Sequence, residues 1–71
     1  MTAEDFRAWR TARRWSRAEA AAYLGVTATS LYRYEHDQQG IPLAVAILCH
    51  LLTDEKNQQK VRDFLRGSIA N

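Results

Sequence analysis

The sequence predicts an all-α fold, a compact five-helix domain, on three observations. No stretch sustains the period-two alternation of a half-buried strand. Strong helix formers (Ala, Arg, Leu, Glu) are abundant and there is one proline. Helix starts and stops recur at short intervals along all 71 residues. A chain of this length makes a single domain, residues 1–71, near the lower limit of what folds without staples.

Each helix has its own punctuation. Thr2, with Asp5 three residues on, caps a first helix running to about Arg14. Ser16-Arg17-Ala18-Glu19 is a capping box that opens a second, and Gly25 ends it with a left-handed residue. Thr27 caps a third, which the loop Asp37-Gln38-Gln39-Gly40 terminates. Pro42 fits the first turn of a fourth, Leu43 to Leu52. Thr53, followed by Asp54 and Glu55, starts a fifth, closed by Gly67.

Composition excludes several classes of function. Cys49 is the only cysteine and lies in an apolar run, so no disulfide forms and a buried structural thiol is expected. With it, His36 and His50 have no metal-ligand spacing, so no metal and no cofactor is expected. No apolar stretch approaches a membrane span, and the N-terminal residues lack the charged-then-apolar order expected of a signal peptide. A small soluble cytoplasmic protein is expected. There is no phosphate loop, no set of nucleophile, base and acid, and no evident small-molecule site, so an enzyme is not expected.

Charge is distributed unevenly. Residues 1–33 hold six arginines against Glu4, Asp5 and Glu19, a balance of +3, whereas residues 34–71 carry −1. Arg7, Arg10, Arg13, Arg14 and Arg17 crowd one short stretch. A solvated helix face accounts for such a run; so does the footprint of a polyanion.

The stretch "AAAYLGVTATSLYRYE" breaks a helix only to restart it. Two helices joined by so short a turn cross steeply and approach closely at the corner. Ala21 is small, Gly25 turns, and Ala20, Leu24, Val26, Leu31 and Tyr34 form an apolar seam. Counted from Arg17, the spacing is that of a helix-turn-helix over residues 16–36. On the third helix, Thr27, Leu31 and Tyr34 share one side at 100° per residue. Thr29, Tyr32, Arg33 and His36 lie opposite, with Ala28 and Ser30 near the exposed start. Such an outer face suits the major groove of double-stranded DNA: Arg33 reaches a guanine edge, Thr29 and Ala28 touch a thymine methyl, and Tyr32 reaches a base. Arg17 at the start of the second helix, with the Gln38–Gln39 loop, Arg14 and Arg13, would meet phosphates.

Residues 4–52, from "EDFRAWRTARRWSRAEAAAYLGVTATSLYRYE" through "PLAVAILCHLL", resemble the Cro/phage-repressor helix-turn-helix family. The resemblance implies a transcriptional regulator of phage or mobile-element type, commonly a repressor and a homodimer on an inverted-repeat operator. It places base reading at Ala28, Thr29 and Arg33, and phosphate contact at Arg17 and Ser30. It also implies a pairing of Arg10 with Glu35; on the helical wheel both border the core, where such a pair would lock the first helix to the third. The family's usual glycine before the next apolar residue is absent. Here Arg13, Arg14 and Trp15 stand at that corner, so Trp15 is expected to fill it.

The fourth helix is apolar nearly all round, and the fifth adds Val61, Phe64 and Leu65. Helices 42–52 and 54–66 are thus expected to complete the core and form a homodimer interface through Val45, Leu48, Leu52, Val61, Phe64 and Leu65. Two other readings stay open. An excisionase-like or mercury-regulator-like DNA-binding domain would place a β-hairpin wing after the third helix. A helical protein–protein adaptor or antitoxin module would use Trp9, Trp15 and the fourth helix to hold a partner.

Overall fold

A computed structural model describes residues 1–70, with side chains to Gly67. Its elements are α1 (Ala3–Ala12), α2 (Arg17–Leu24), α3 (Ala28–Glu35), α4 (Leu43–Leu51) and α5 (Glu55–Ala70). No strand occurs among the described residues, so the fold is all-α. Helix α4 occupies the place of a β-hairpin wing, which removes the excisionase-like reading.

Helix starts other than that of α4, which begins after Pro42 without a side-chain cap, follow from side-chain caps. Thr2 Oγ1 accepts from the Asp5 N–H at 3.1 Å, and the Asp5 carboxylate accepts from the Thr2 N–H at 3.4 Å. Ser16 and Glu19 repeat this at α2, at 3.1 and 3.3 Å. Thr27 Oγ1 accepts from the Ser30 N–H at 3.0 Å. Each cap satisfies a donor the helix leaves open and is worth about 1 kcal/mol. At α5 the cap is Asp54, which accepts from the Lys56 N–H at 2.9 Å. Thr53, the expected cap, instead donates back to the Cys49 carbonyl at 3.0 Å.

The ends of α1, α2 and α3 share one device. After α1, the Arg14 N–H donates to Thr11 and the Trp15 N–H to Arg10. After α2, Gly25 donates to Ala22 and Val26 to Ala21; after α3, Asp37 donates to Tyr34 and Gln38 to Arg33. This nested pair of bonds needs a left-handed residue at the corner. The φ angles are +57° at Arg14, +68° at Gly25 and +56° at Asp37. Two of the three corners are therefore made without glycine. Helix α1 accordingly stops at Ala12, short of Arg14, and Asp37, not Gly40, turns the chain after α3. Helix α5 runs on through Gly67 to Ala70.

The core lies where α1 and α2 meet α3, and where α4 and α5 close over α2. Phe6, Leu31 and Cys49 have no exposed surface, and Trp15, Ala20, Ala21, Leu24, Tyr34, Val45 and Leu52 join them. Burying each large apolar side chain contributes about 1.5–3 kcal/mol. Trp15 does fill the corner after α1. It stacks on Tyr23 at 4.2 Å with the planes 3° apart, and Trp9 meets it edge-on at 5.6 Å. Trp9 Nε1 donates to the Cys49 carbonyl at 2.9 Å, tying α1 to α4. The buried Cys49 thiol is pushed up to about 11 by desolvation, against the opposing charge of Arg13, and stays protonated. Asn57 and Gln58 donate to the Leu51 and Leu52 carbonyls at 2.8 and 2.7 Å, closing the end of α4. Arg62 Nε donates to the Tyr23 hydroxyl at 2.8 Å and holds α5 to α2.

Candidate nucleic-acid interface

The corner between α2 and α3 sets the site. Gly25 supplies the left-handed turn, yet a β-carbon there would meet no atom within 4 Å. Backbone conformation is the reason for this glycine. Close approach falls instead on Ala20 and Ala21, exposed by 0% and 5%.

Helix α3 then sorts its residues by face. Leu31, Tyr34 and Glu35 are buried; Ala28, Thr29, Tyr32, Arg33 and His36 are exposed. The four residues expected to read bases thus share one uncovered surface. Ser30 is half-buried, and its Oγ accepts from Thr27 Oγ1 at 3.0 Å, which leaves its own O–H as a donor. Gln38 and Gln39 are exposed in the loop after α3, and Arg14 is exposed at the end of α1.

Behind this surface Glu35 is a hub. Its carboxylate accepts from Arg10 Nε at 2.5 Å and Nη2 at 3.3 Å, and from Arg17 Nε at 2.9 Å. Arg10 Nη1 also donates to the Trp15 carbonyl at 2.9 Å, and Arg7 Nη2 to the Glu35 carbonyl at 2.7 Å. Burial alone pushes the Glu35 carboxyl up. Hydrogen bonds from Arg10 and Arg17, together with their charges, outweigh it and hold the group below its ordinary value. The pairing of Arg10 with Glu35 is the one that the family resemblance implies. The parts of Arg7 and Arg17 had no such signal: the resemblance pairs Glu35 with Arg10 alone, and no local spacing links it to residues 28 or 18 positions away.

Arg17 is therefore placed differently from a free surface cation. Its Nε is committed to Glu35, its guanidinium carbon lies 5.5 Å from the centre of the Tyr32 ring, and its side chain is still 47% exposed. Tyr32 in turn stacks on His36 at 4.0 Å. Arg13 stands apart from this column. It lies 4.6 Å over the Trp9 ring and donates to the Trp9 and Leu52 carbonyls at 2.6 and 3.4 Å, so it braces α1 against the end of α4.

The residues expected at a dimer interface divide. Val45 and Leu52, exposed by 5% and 1%, face their own chain's core, which corrects their assignment: no side-chain surface remains for a partner. Leu48, Val61 and Leu65 are half-buried, and Phe64 is 71% exposed. The apolar surface that α4 leaves uncovered is Leu43, Ile47 and Leu51, recurring every fourth residue at 76%, 51% and 47%.

Among the described residues, no three His, Cys, Asp or Glu side chains are grouped to hold a metal, and no helix is long and apolar enough to cross a membrane. A helix-turn-helix family model matches residues 6–51, which spans α1 to α4. No curated protein matches the chain significantly, and neither does any solved structure.

Proposed function

Since the chain belongs to the Cro/repressor-type helix-turn-helix family of DNA-binding regulators, we propose that it is a cytoplasmic repressor of the kind phages and mobile elements encode, acting as a homodimer on an inverted-repeat operator. Helix α3 enters the major groove, and Ala28, Thr29, Tyr32 and Arg33 meet base edges. The observation that carries this reading is the exposure of those four side chains while Leu31, Tyr34 and Glu35 hold the same helix to the core. Arg17, Arg14, Gln38 and Gln39, all exposed, contact the flanking phosphates.

One reading helix covers only a few base pairs, so a two-fold pair is needed for a site of useful length. The uncovered stripe of Leu43, Ile47 and Leu51, with Phe64 on α5, supports self-association. Repression requires only occupancy, because a domain seated in the groove excludes other proteins from the same base pairs.

Selection of duplex oligonucleotides from a random pool tests the proposal. The expected result is an inverted repeat whose half-site centres lie about one helical turn, roughly 34 Å, apart. Affinity should fall steeply with salt. Recovery of no enriched sequence, with binding indifferent to salt, would leave the adaptor reading in its place.

A further inference from the structure

Resting on the DNA-binding reading, we propose that Glu35 is a positioning residue: it pins the guanidinium of Arg17 against the Tyr32 ring, so that a fixed cation on a fixed aromatic platform meets the DNA backbone beside the reading surface.

Glu35 is 1% exposed, so it has almost no surface of its own to offer DNA. Its Oε1 takes the Nε of Arg17 at 2.9 Å, while its Oε2 is held by Arg10 at 2.5 Å from the opposite helix. The carboxylate therefore cannot turn to follow a moving Arg17. With Nε used, the donors of Arg17 at Nη1 and Nη2 remain, and a side chain 47% exposed presents them to solvent. Tyr32 closes the arrangement from below. Its ring lies 5.5 Å from the Arg17 guanidinium carbon and 4.0 Å from the His36 ring, so it is held on two sides. An arginine ordered before binding loses less freedom on meeting a phosphate than one recruited from solvent. Lysine cannot take this part. Its three donors all sit on one nitrogen, so it cannot reach Glu35 from one edge and a phosphate from the other, and it lacks the planar face that lies over Tyr32.

Two measurements test the pin. In the DNA-free wild-type protein, the Arg17 Nε–H should give a resolved NMR signal with an order parameter near the rigid-backbone value of about 0.85. A value below about 0.6 would show a mobile side chain and overturn the proposal without reference to DNA. Then Arg17→Lys is compared with wild type on the selected operator, with melting followed to show that the variant is folded. The expected outcome is roughly tenfold weaker binding, with the salt slope reduced by about one unit although the formal charge is unchanged. Retention of both affinity and slope would mean that any cation at this position suffices, and the pin would be refuted. Failure of the wild type itself to bind any duplex would instead remove the DNA-binding reading, an outcome the first measurement keeps separate.

Discussion

Glu35 joins the stability of this domain to its chemistry through a single carboxylate. Because Arg10 and Arg17 hold the folded carboxyl below its ordinary value of 4.5, the unfolded chain takes up its proton first as the pH falls. The associated stability is fully present above about pH 4.5 and is lost as the pH drops through the lowered folded value. Glu35→Gln should cost about 3 kcal/mol in urea unfolding at pH 7. Its deficit relative to wild type should shrink below about pH 4.5; a deficit independent of pH would place the cost in packing alone. Arg33 lies on the same helix with the opposite character, exposed and free of core contacts. Arg33→Ala should leave melting unchanged, cost about 1–3 kcal/mol on the operator, and relax preference at one base pair in competition binding. The facing of both residues follows from the 100° step along α3, which made this part of the site legible in the sequence. Arg13 and Arg17 were harder. Each belongs to a basic run that reads as one surface patch, yet their partners, Trp9, Leu52 and Glu35, are set by tertiary packing.

At the scale of elements, the starts of α1, α2 and α3 were legible, whereas of the ends only that of α2 was. Ser16–Glu19 and Thr2–Asp5 are local pairs whose spacing alone satisfies the open N–H groups, so no tertiary contact is needed to read them. The ends depend on backbone conformation, and side-chain identity reports that only when the residue is glycine. Gly25 therefore marked its corner, whereas Arg14 and Asp37 adopt the same left-handed geometry under a β-carbon. Left-handed backbone at such residues costs about 1 kcal/mol. Arg14→Gly and Asp37→Gly should each raise the free energy of urea unfolding by up to about 1 kcal/mol, as relief of strain exceeds the added freedom of the unfolded chain. Gly25→Ala, in contrast, should destabilise by about 1 kcal/mol through φ alone, since space for the methyl exists.

For the whole molecule, the all-α class and the corner at residues 16–36 were legible because several independent signals agree there. The inward face of α4 was not. A helix apolar nearly all round offers no contrast between its sides, so Val45 and Leu52 look like Leu43 and Ile47 until α2 and α5 pack against them. On the proposed homodimer, the uncovered stripe of Leu43, Ile47 and Leu51 is the self-contact. Ile47→Arg should leave the monomer's melting within a few degrees while shifting sedimentation from dimer to monomer. Operator affinity should fall at least tenfold; a variant that stays dimeric would move the self-contact elsewhere, with exposed Phe64 the next place to look.

Both tryptophans belong to the aromatic cluster of Phe6, Trp9, Trp15, Tyr23 and Tyr34. Neither lies on the outer side of α3. The molecule thus carries its own optical gauge of folding, built into the joint that braces α1 and α2 rather than into the surface offered to a partner. Indole emission should redden when the chain unfolds and change little when an operator is added, so one cuvette can separate a variant that has lost its shape from one that has lost only its grip.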